Sequence, residues 1–512
     1  LSLLSGLREI IVYDFHALID DSRAAVKNVA ALYQDVASWA RPLADRRYDR
    51  IINLTFNRPS ALLSSYIGAP DIRGARSAWD GQSVIDNHWM AYFTDMHHFR
   101  SMNRFNLVDV YALGGSGVGT FAPLSVTVTA AAQDWAQRYL FTAAGDTKEW
   151  IAVQAGASDV MKAWRPEYFG RTLAHVSSQW AGGFVLIGTP AEQETIAQVL
   201  QAYRAAGGQR PVLNAASRTT LEQLVGLLAE CRLLLTNDTG PMHLAVGVGV
   251  PVIDLSVGHV DFRETGPYGH GHWVIQPELD CAPCGFDQVC AHQTCKDRLP
   301  VRMVGDAVLH VLGKRPAPQP APGYRIYQST VDEDQLGSFR LIGQADSSDT
   351  EWFSRFWRRY WYESLTQTVS RIPLASTGPS NLQAAVRHLS GMMPQVETLC
   401  READAIVRAT VQIPQSAGNL QALQREQTAL RERVVRLGMS HLVSAPVTAA
   451  FVRNLHNDNV KGLDRMARHH ALAYRQWRRH LEEIHRLLAQ ITGKSPQQTV
   501  PMFTGSLAAH SG

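Results

Sequence analysis

The sequence predicts an α/β protein built on doubly wound open sheets and followed by a mainly α-helical extension. Three observations carry this prediction. Short β-type runs alternate with helical patterns from Trp150 to Leu255, a Pro/Ala stretch interrupts the chain at 315–322, and helical periodicity dominates beyond it. Sheets of this kind hold ligands in the crevice beyond the carboxyl ends of their strands, so functional residues are sought just after each β-type run.

Residues 1–117 read as mixed α/β. The chain opens at Leu1 and enters an apolar strand-like run, Ile10-Ile11-Val12-Tyr13, and we expect a further segment upstream. An amphipathic helical stretch, Ala25–Leu43, precedes the β-type run Ile51–Thr55, and Gly114-Gly115-Ser116-Gly117 reads as a hinge. Residues 118–314 carry the regular alternation. Strands are predicted at Trp150–Gln154, Phe184–Ile187, Pro211–Leu213, Leu233–Thr236 and Val252–Leu255, with helices at Glu167–Trp180, Ala191–Ala206, Thr220–Cys231 and Pro241–Val246 between them. Residues 315–323 form a stiff Pro-rich linker. After a β-like piece at Tyr324–Tyr327, residues 324–512 are mainly helical. Leu420, Leu423, Leu430, Val434 and Leu437 keep heptad spacing up to a C-cap at Gly438, and Tyr474, Trp477, Leu481, Ile484, Leu488 and Ile491 form a second stripe. In Trp352–Tyr362, Phe353, Phe356, Trp357, Tyr360 and Trp361 share one helical face. A buried aromatic seam is the favoured reading, and an interfacial helix at a membrane is the other.

Bulk composition narrows the function. The 512 residues carry a formal charge of +3, too small for nucleic acid to be the expected partner. No apolar run reaches the roughly eighteen residues of a membrane span. The expected location is the cytoplasm, with peripheral contact at the inner face of the membrane left open. From Arg453 to Arg486 there are eight Lys/Arg against four Asp/Glu, which gives the last helix a basic outer face. Of six cysteines, Cys281, Cys284, Cys290 and Cys295 cluster with two, five and four residues between them. Four thiolates at this spacing suit a tetrahedral structural site for zinc or iron in a reducing compartment; the competing reading is four reduced thiols packed in a loop.

The strongest local signal is Thr236-Asn237-Asp238-Thr239-Gly240-Pro241-Met242-His243, which follows an apolar strand and opens a helix. Pro241 suits the first helical turn, Gly240 admits a ligand close to the backbone, and the helix start suits a diphosphate. An ordinary N-cap at Asp238 or Thr239 is the plain alternative.

This string, followed by the strand Gly249-Val250-Pro251-Val252-Ile253, resembles the donor domain of glycosyltransferase family 9, of the heptosyltransferase type. So do Gln154–Ser158, Lys162, Trp164–Phe169, Gly188–Glu192, Ser217–Leu221 and Gly266–Gly269, in the same order. Asn53–Thr55, Arg58–Leu62 and Phe105–Asp109 resemble its acceptor-side domain. The resemblance spans roughly residues 10–310. It implies a GT-B pair of Rossmann-like domains, the first N-terminally incomplete here, and inverting transfer of heptose or a related sugar. The donor would be an ADP-sugar, and the acceptor a lipopolysaccharide core or another glycan, glycolipid or protein. Carried over residue by residue, Lys162 neutralises the diphosphate, Asp238, Thr239, Gly240 and His243 line the phosphate and sugar side, and Glu192 accepts from the ribose hydroxyls. The family's general base lies in a Gly-Asp loop after its first strand. No such segment precedes Ile10, and Asp14 follows a later strand, so no catalytic base is assigned. Some relatives hold iron at similar cysteines. Two other readings compete: a non-catalytic donor-domain protein that recruits partners through its helices, and a nucleotide-sugar epimerase. The helical stripes also leave room for a homo-oligomer.

Overall fold

The computed structural model describes residues 6–13, 29–96, 99–117, 119, 121–144, 147–285, 289–343, 348–372, 378–412, 417–457 and 462–492. The chain is α/β with a doubly wound, largely parallel sheet and C-terminal helices, as predicted. It forms two compact units, and each is assembled from separated segments.

One unit comprises residues 12–103, 110–119 and 347–512. Its small sheet runs β1 (Arg50–Asn53), β2 (Asp71–Ser77), β3 (Ser83–Ile85), with β1 and β2 parallel and β3 antiparallel to β2. Asn57 caps the helix Arg58–Ile67, accepting from Ser60 N at 2.9 Å. The helix predicted over Ala25–Leu43 is described from Val29 to Ala44, and residues 25–28 lie outside the described residues. Ile10–Tyr13 forms no strand: Ile10, Ile11 and Val12 are exposed and pair with nothing in a sheet. Asp14 lies outside the described residues.

The C-terminal helices Asp349–Thr366, Leu382–Gln412, Ala417–Gly438, Ala445–His456 and Leu463–Thr492 belong to this same unit. Asn457 exchanges hydrogen bonds with Ile85 N and O, both at 2.6 Å, and Arg453 pairs with Asp95 at 2.7 Å. The aromatic seam of Trp352–Tyr362 is core: Phe353, Phe356, Trp357 and Tyr360 are fully buried, and Arg359 is buried against Glu363. The second stripe is buried from Tyr474 to Leu488. In the first, Leu430 and Val434 are buried, and the side chain of Leu420 lies outside the described residues. Gly438 is no left-handed cap. It ends its helix where a Cβ would meet Thr448 Oγ1 at 2.1 Å, so close helix packing requires the glycine. The basic face is smaller than composition suggests, because Arg453, Arg475, Arg478 and Arg486 pair with Asp95, Asp404, Glu482 and Glu483.

The other unit comprises residues 1–11, 104–109 and 120–346. Its strands are β4 (Trp150–Gln154), β5 (Gly183–Leu186), β6 (Val212–Asn214), β7 (Leu233–Asn237), β8 (Val252–Leu255), β9 (Trp273–Pro277), β10 (Tyr324–Val331) and β11 (Gly337–Leu341). The order across the sheet is β11-β10-β9-β8-β7-β4-β5-β6, parallel from β9 to β6. The chain winds from β4 to β6 on one side and then restarts at β7 on the other, so the strand order reverses between β4 and β7. Every residue of β4, β5, β7, β8 and β9 is buried, as strands covered on both faces require.

The expected boundaries shift at two points. β10 and β11 add antiparallel strands to the sheet edge, with Ile326 opposite Ile275, so the Pro-rich stretch at 315–323 separates no units. Segment Arg104–Asp109 also belongs to the sheet unit: Asp109 accepts from Tyr268 OH and, at 2.9 Å, from Gly337 N.

Candidate functional site

The residues proposed from sequence gather at the carboxyl ends of β4, β5 and β7, beside the point where the strand order reverses. Gln154 closes β4, and its amide donates to Glu192 Oε1 at 2.9 Å. Glu192 ends the 3-10 turn Pro190–Glu192 that follows β5, and its Oε2 accepts from Thr189 N at 2.6 Å and Thr189 Oγ1 at 2.9 Å. This capping box fixes the carboxylate. A Cβ at position 156 would lie 1.9 Å from Glu192 Oε1, so the turn after β4 needs Gly156 to pass. With three donors already bound and roughly four lone-pair sites, Glu192 keeps capacity for about one more hydroxyl.

At the end of β7, Asn237 binds three segments together. Its amide donates to Ala155 O at 2.9 Å and Gly156 O at 3.3 Å, while its Oδ1 accepts from Trp164 N at 2.9 Å. The sequence reading did not single Asn237 out. The available signal was a lone amide closing an apolar run, since a fully buried Asn must find partners.

Asp238 accepts a short hydrogen bond from Thr265 Oγ1. Thr239 stands at the N-cap of the helix Gly240–Gly247, yet its hydroxyl donates to Asn237 O at 3.2 Å and no side chain caps the helix. Thr239 is therefore no ordinary side-chain cap, and the helix start carries partial positive charge. Gly240 is exposed, and a Cβ there would meet nothing within 4 Å, so no protein atom demands a glycine. His243, one turn in, is half-buried, and burial lowers its pKa, which favours the neutral imidazole.

Lys162 closes the 3-10 turn Val160–Lys162, which Asp159 caps by accepting from Met161 N at 2.8 Å. It is half-buried, and among the described residues no carboxylate pairs with it. Behind the site, Asp254 of β8 is wholly buried with neither oxygen hydrogen-bonded among the described residues. Burial first and the nearby Asp238 second raise its pKa well above the usual carboxylate range.

The cysteine loop follows in the same unit. Cys284 and Cys295 are buried, Cys290 is half-buried and Cys281 is exposed. Burial, and then the charges of Cys295, Cys281 and Cys290, push the Cys284 thiol up. Even so, among the described residues no three His, Cys, Asp or Glu side chains converge as metal ligands, and residues 286–288 lie outside that set. His292 bonds to Thr294 Oγ1 at 2.8 Å.

The model of glycosyltransferase family 9 (heptosyltransferase) matches residues 36–295. Over 166 residues the chain is 28% identical to lipooligosaccharide heptosyltransferase 2 of Campylobacter jejuni, covering 31% of this chain and 50% of that protein. Over 120 residues it is 31% identical to a lipopolysaccharide core heptosyltransferase of Haemophilus influenzae, covering 23% and 33%. The chain thus spans about half the length, or less, of the curated relatives it matches. Among solved structures, a family 9 glycosyl transferase from Veillonella parvula aligns with TM-score 0.42 at 20% identity, over 54% of this chain and 77% of that one. The Escherichia coli ADP-heptose heptosyltransferase II aligns with TM-score 0.39 at 20% identity, over 54% and 80%. The family model takes in the β4–β8 core, Lys162, Glu192, Asp238, Thr239, Gly240 and His243 and the cysteine loop, and on that match the chain belongs to glycosyltransferase family 9.

Proposed function

We propose that the chain is a glycosyltransferase that moves heptose or a related sugar, with inversion, from an ADP-linked donor to a lipopolysaccharide core or another surface acceptor. The observation that carries this reading is the helix start at Gly240, not capped by the Thr239 side chain and open in front, beside the point where the strand order reverses. In such a transfer the nucleoside diphosphate leaves with growing negative charge. Backbone N–H groups at a helix start, together with the ammonium of Lys162, stabilise charge that develops there. Neutral His243 donates to, or accepts from, phosphate or sugar oxygens according to its tautomer. Glu192, already held by Gln154 and Thr189, offers its remaining lone pair to a ribose hydroxyl. Asn237 contributes by fixing the β4 turn and the Trp164 backbone around the ligand. A structural zinc or iron is no part of this proposal, and the group that deprotonates the acceptor stays unassigned.

Calorimetry with ADP and an ADP-sugar tests it. Lys162→Ala and His243→Ala should each weaken binding about tenfold to hundredfold, the size of a lost charge-assisted hydrogen bond, without unfolding the protein. Wild-type affinity in both variants would remove the donor from these strand ends.

A further inference from the structure

Lys296 lies outside every role described so far. It follows Cys295 in the short helix Thr294–Asp297 and is only 3% exposed, an unusual place for an ammonium with a long flexible stem. Its Nζ donates to Val160 O at 2.7 Å, the first carbonyl of the turn that ends in Lys162. Its own carbonyl accepts from Trp164 Nε1 at 2.8 Å, on the other side of Lys162 in sequence. Trp164 is fully buried, and its backbone N–H reaches Asn237. One residue thus grips the chain both before and after Lys162.

A second contact presses on the same turn. Gly258 has φ +72°, and a Cβ there would fall 2.2 Å from Met161 O and 3.4 Å from Lys162 N. The carbonyl of Gly258 accepts from Cys284 N at 3.0 Å. His259 stands 3.7 Å from Asp159, the residue that caps the turn. The Asp159–Lys162 backbone is therefore held between the Gly258 loop and Lys296, both of which border the cysteine loop.

We infer that Lys296 is a positioning residue. Its buried ammonium anchors Val160 O and fixes the backbone from which Lys162 reaches the donor diphosphate. The inference rests on the reading of Lys162 as the diphosphate ligand. Lys296 touches no substrate, and its effect on binding passes through Lys162 alone. The chemistry is that of a charged donor on a backbone carbonyl, a bond stronger than a neutral one, and its loss is felt by whatever the carbonyl holds in place.

The test is a double-mutant cycle read by calorimetry with ADP on the full chain. Lys296→Met keeps the stem and removes the ammonium, and it should weaken ADP about tenfold, within the usual coupling between residues of one network. In a Lys162→Ala background the same change should cost less than about twofold, because nothing remains to be positioned. Should Lys296→Met fail to fold, Gly258→Ala displaces the same turn from the opposite side, and the same coupling with Lys162→Ala is expected. Additive losses, or full ADP affinity in Lys296→Met, would overturn the inference and leave the role of Lys162 standing. Wild-type affinity in Lys162→Ala would remove both.

Discussion

The two units solve the same problem, covering apolar faces of a sheet, by different routes. In the sheet unit, β4 to β8 alternate with helices that pack on the sheet, so most of its cover comes from the same stretch of chain. In the other unit, three short strands and the helix His88–Met96 are completed by helices more than 250 residues further on, as the 358-residue separation of the Asp95–Arg453 pair shows. Such closure leaves strand ends free to carry chemistry, and all six residues proposed for the donor sit in the sheet unit. Distant closure spends the polar groups on docking: Asn457 is used on Ile85, and Arg453 on Asp95.

The sharpest way to break this comparison is at the distant closure itself. Trp477 is 1% exposed, stacks near Phe451 with ring centroids 5.5 Å apart, and donates to Thr448 Oγ1 at 3.0 Å. Thr448 in turn lies against Gly438, so three helices meet at this indole. Trp477→Ala should cost about 3–5 kcal/mol in chemical denaturation, the usual price of removing a buried aromatic. A loss under about 1 kcal/mol would mean that the helices are held elsewhere.

The contrast also explains what sequence could tell. β4, β5, β7, β8 and their helices were legible, because period and turn residues are local signals that each βα unit repeats. β9 and β11 were not placed, and of β10 only its first half was read, as the β-like piece Tyr324–Tyr327. Trp273–Pro277 has no flanking helix pattern to mark it, and the Pro/Ala run before Tyr324 looks like an interdomain spacer although the chain only crosses to the sheet edge. The helical stripes were visible as stripes, yet nothing in a heptad names the surface it packs on. At the site, the residue types and spacing located the strand ends. The hydrogen bonds of Asn237 and Lys296 were out of reach, since they join segments 73 to 136 residues apart.

Two buried carboxyl groups, one in each unit, sharpen the comparison. Asp95 is raised to about 6, by burial first, while Arg453 pulls it down. A carboxyl whose folded pKa exceeds its unfolded value favours folding most at low pH, and that contribution is lost as pH rises from about 4 through 6. Arg453→Met removes the partner and leaves the anion buried. It should cost about 2–4 kcal/mol at pH 8 and clearly less at pH 5, where Asp95 is mostly protonated in the fold. Equal losses in urea melts at both pH values would show that Arg453 matters for packing and not for charge.

Asp254 is the counterpart without an arginine. Burial first, then Asp238, raises its pKa, and among the described residues neither of its oxygens has a hydrogen-bond partner. The sign is the same as for Asp95. The unfolded chain releases this proton near pH 4, the folded chain retains it to higher pH, and stability declines with rising pH across that interval. Asp254→Asn keeps the shape and carries no charge at any pH. It should therefore raise stability at pH 8 by about 1–2 kcal/mol, while changing little at pH 4, where both side chains are neutral. Urea melts across that range measure both effects. A variant less stable at every pH would show that the acid has a partner that an amide cannot replace. A gain confined to high pH would mean that β8 keeps a destabilising buried acid, whereas the distant closure pairs its carboxyl with Arg453.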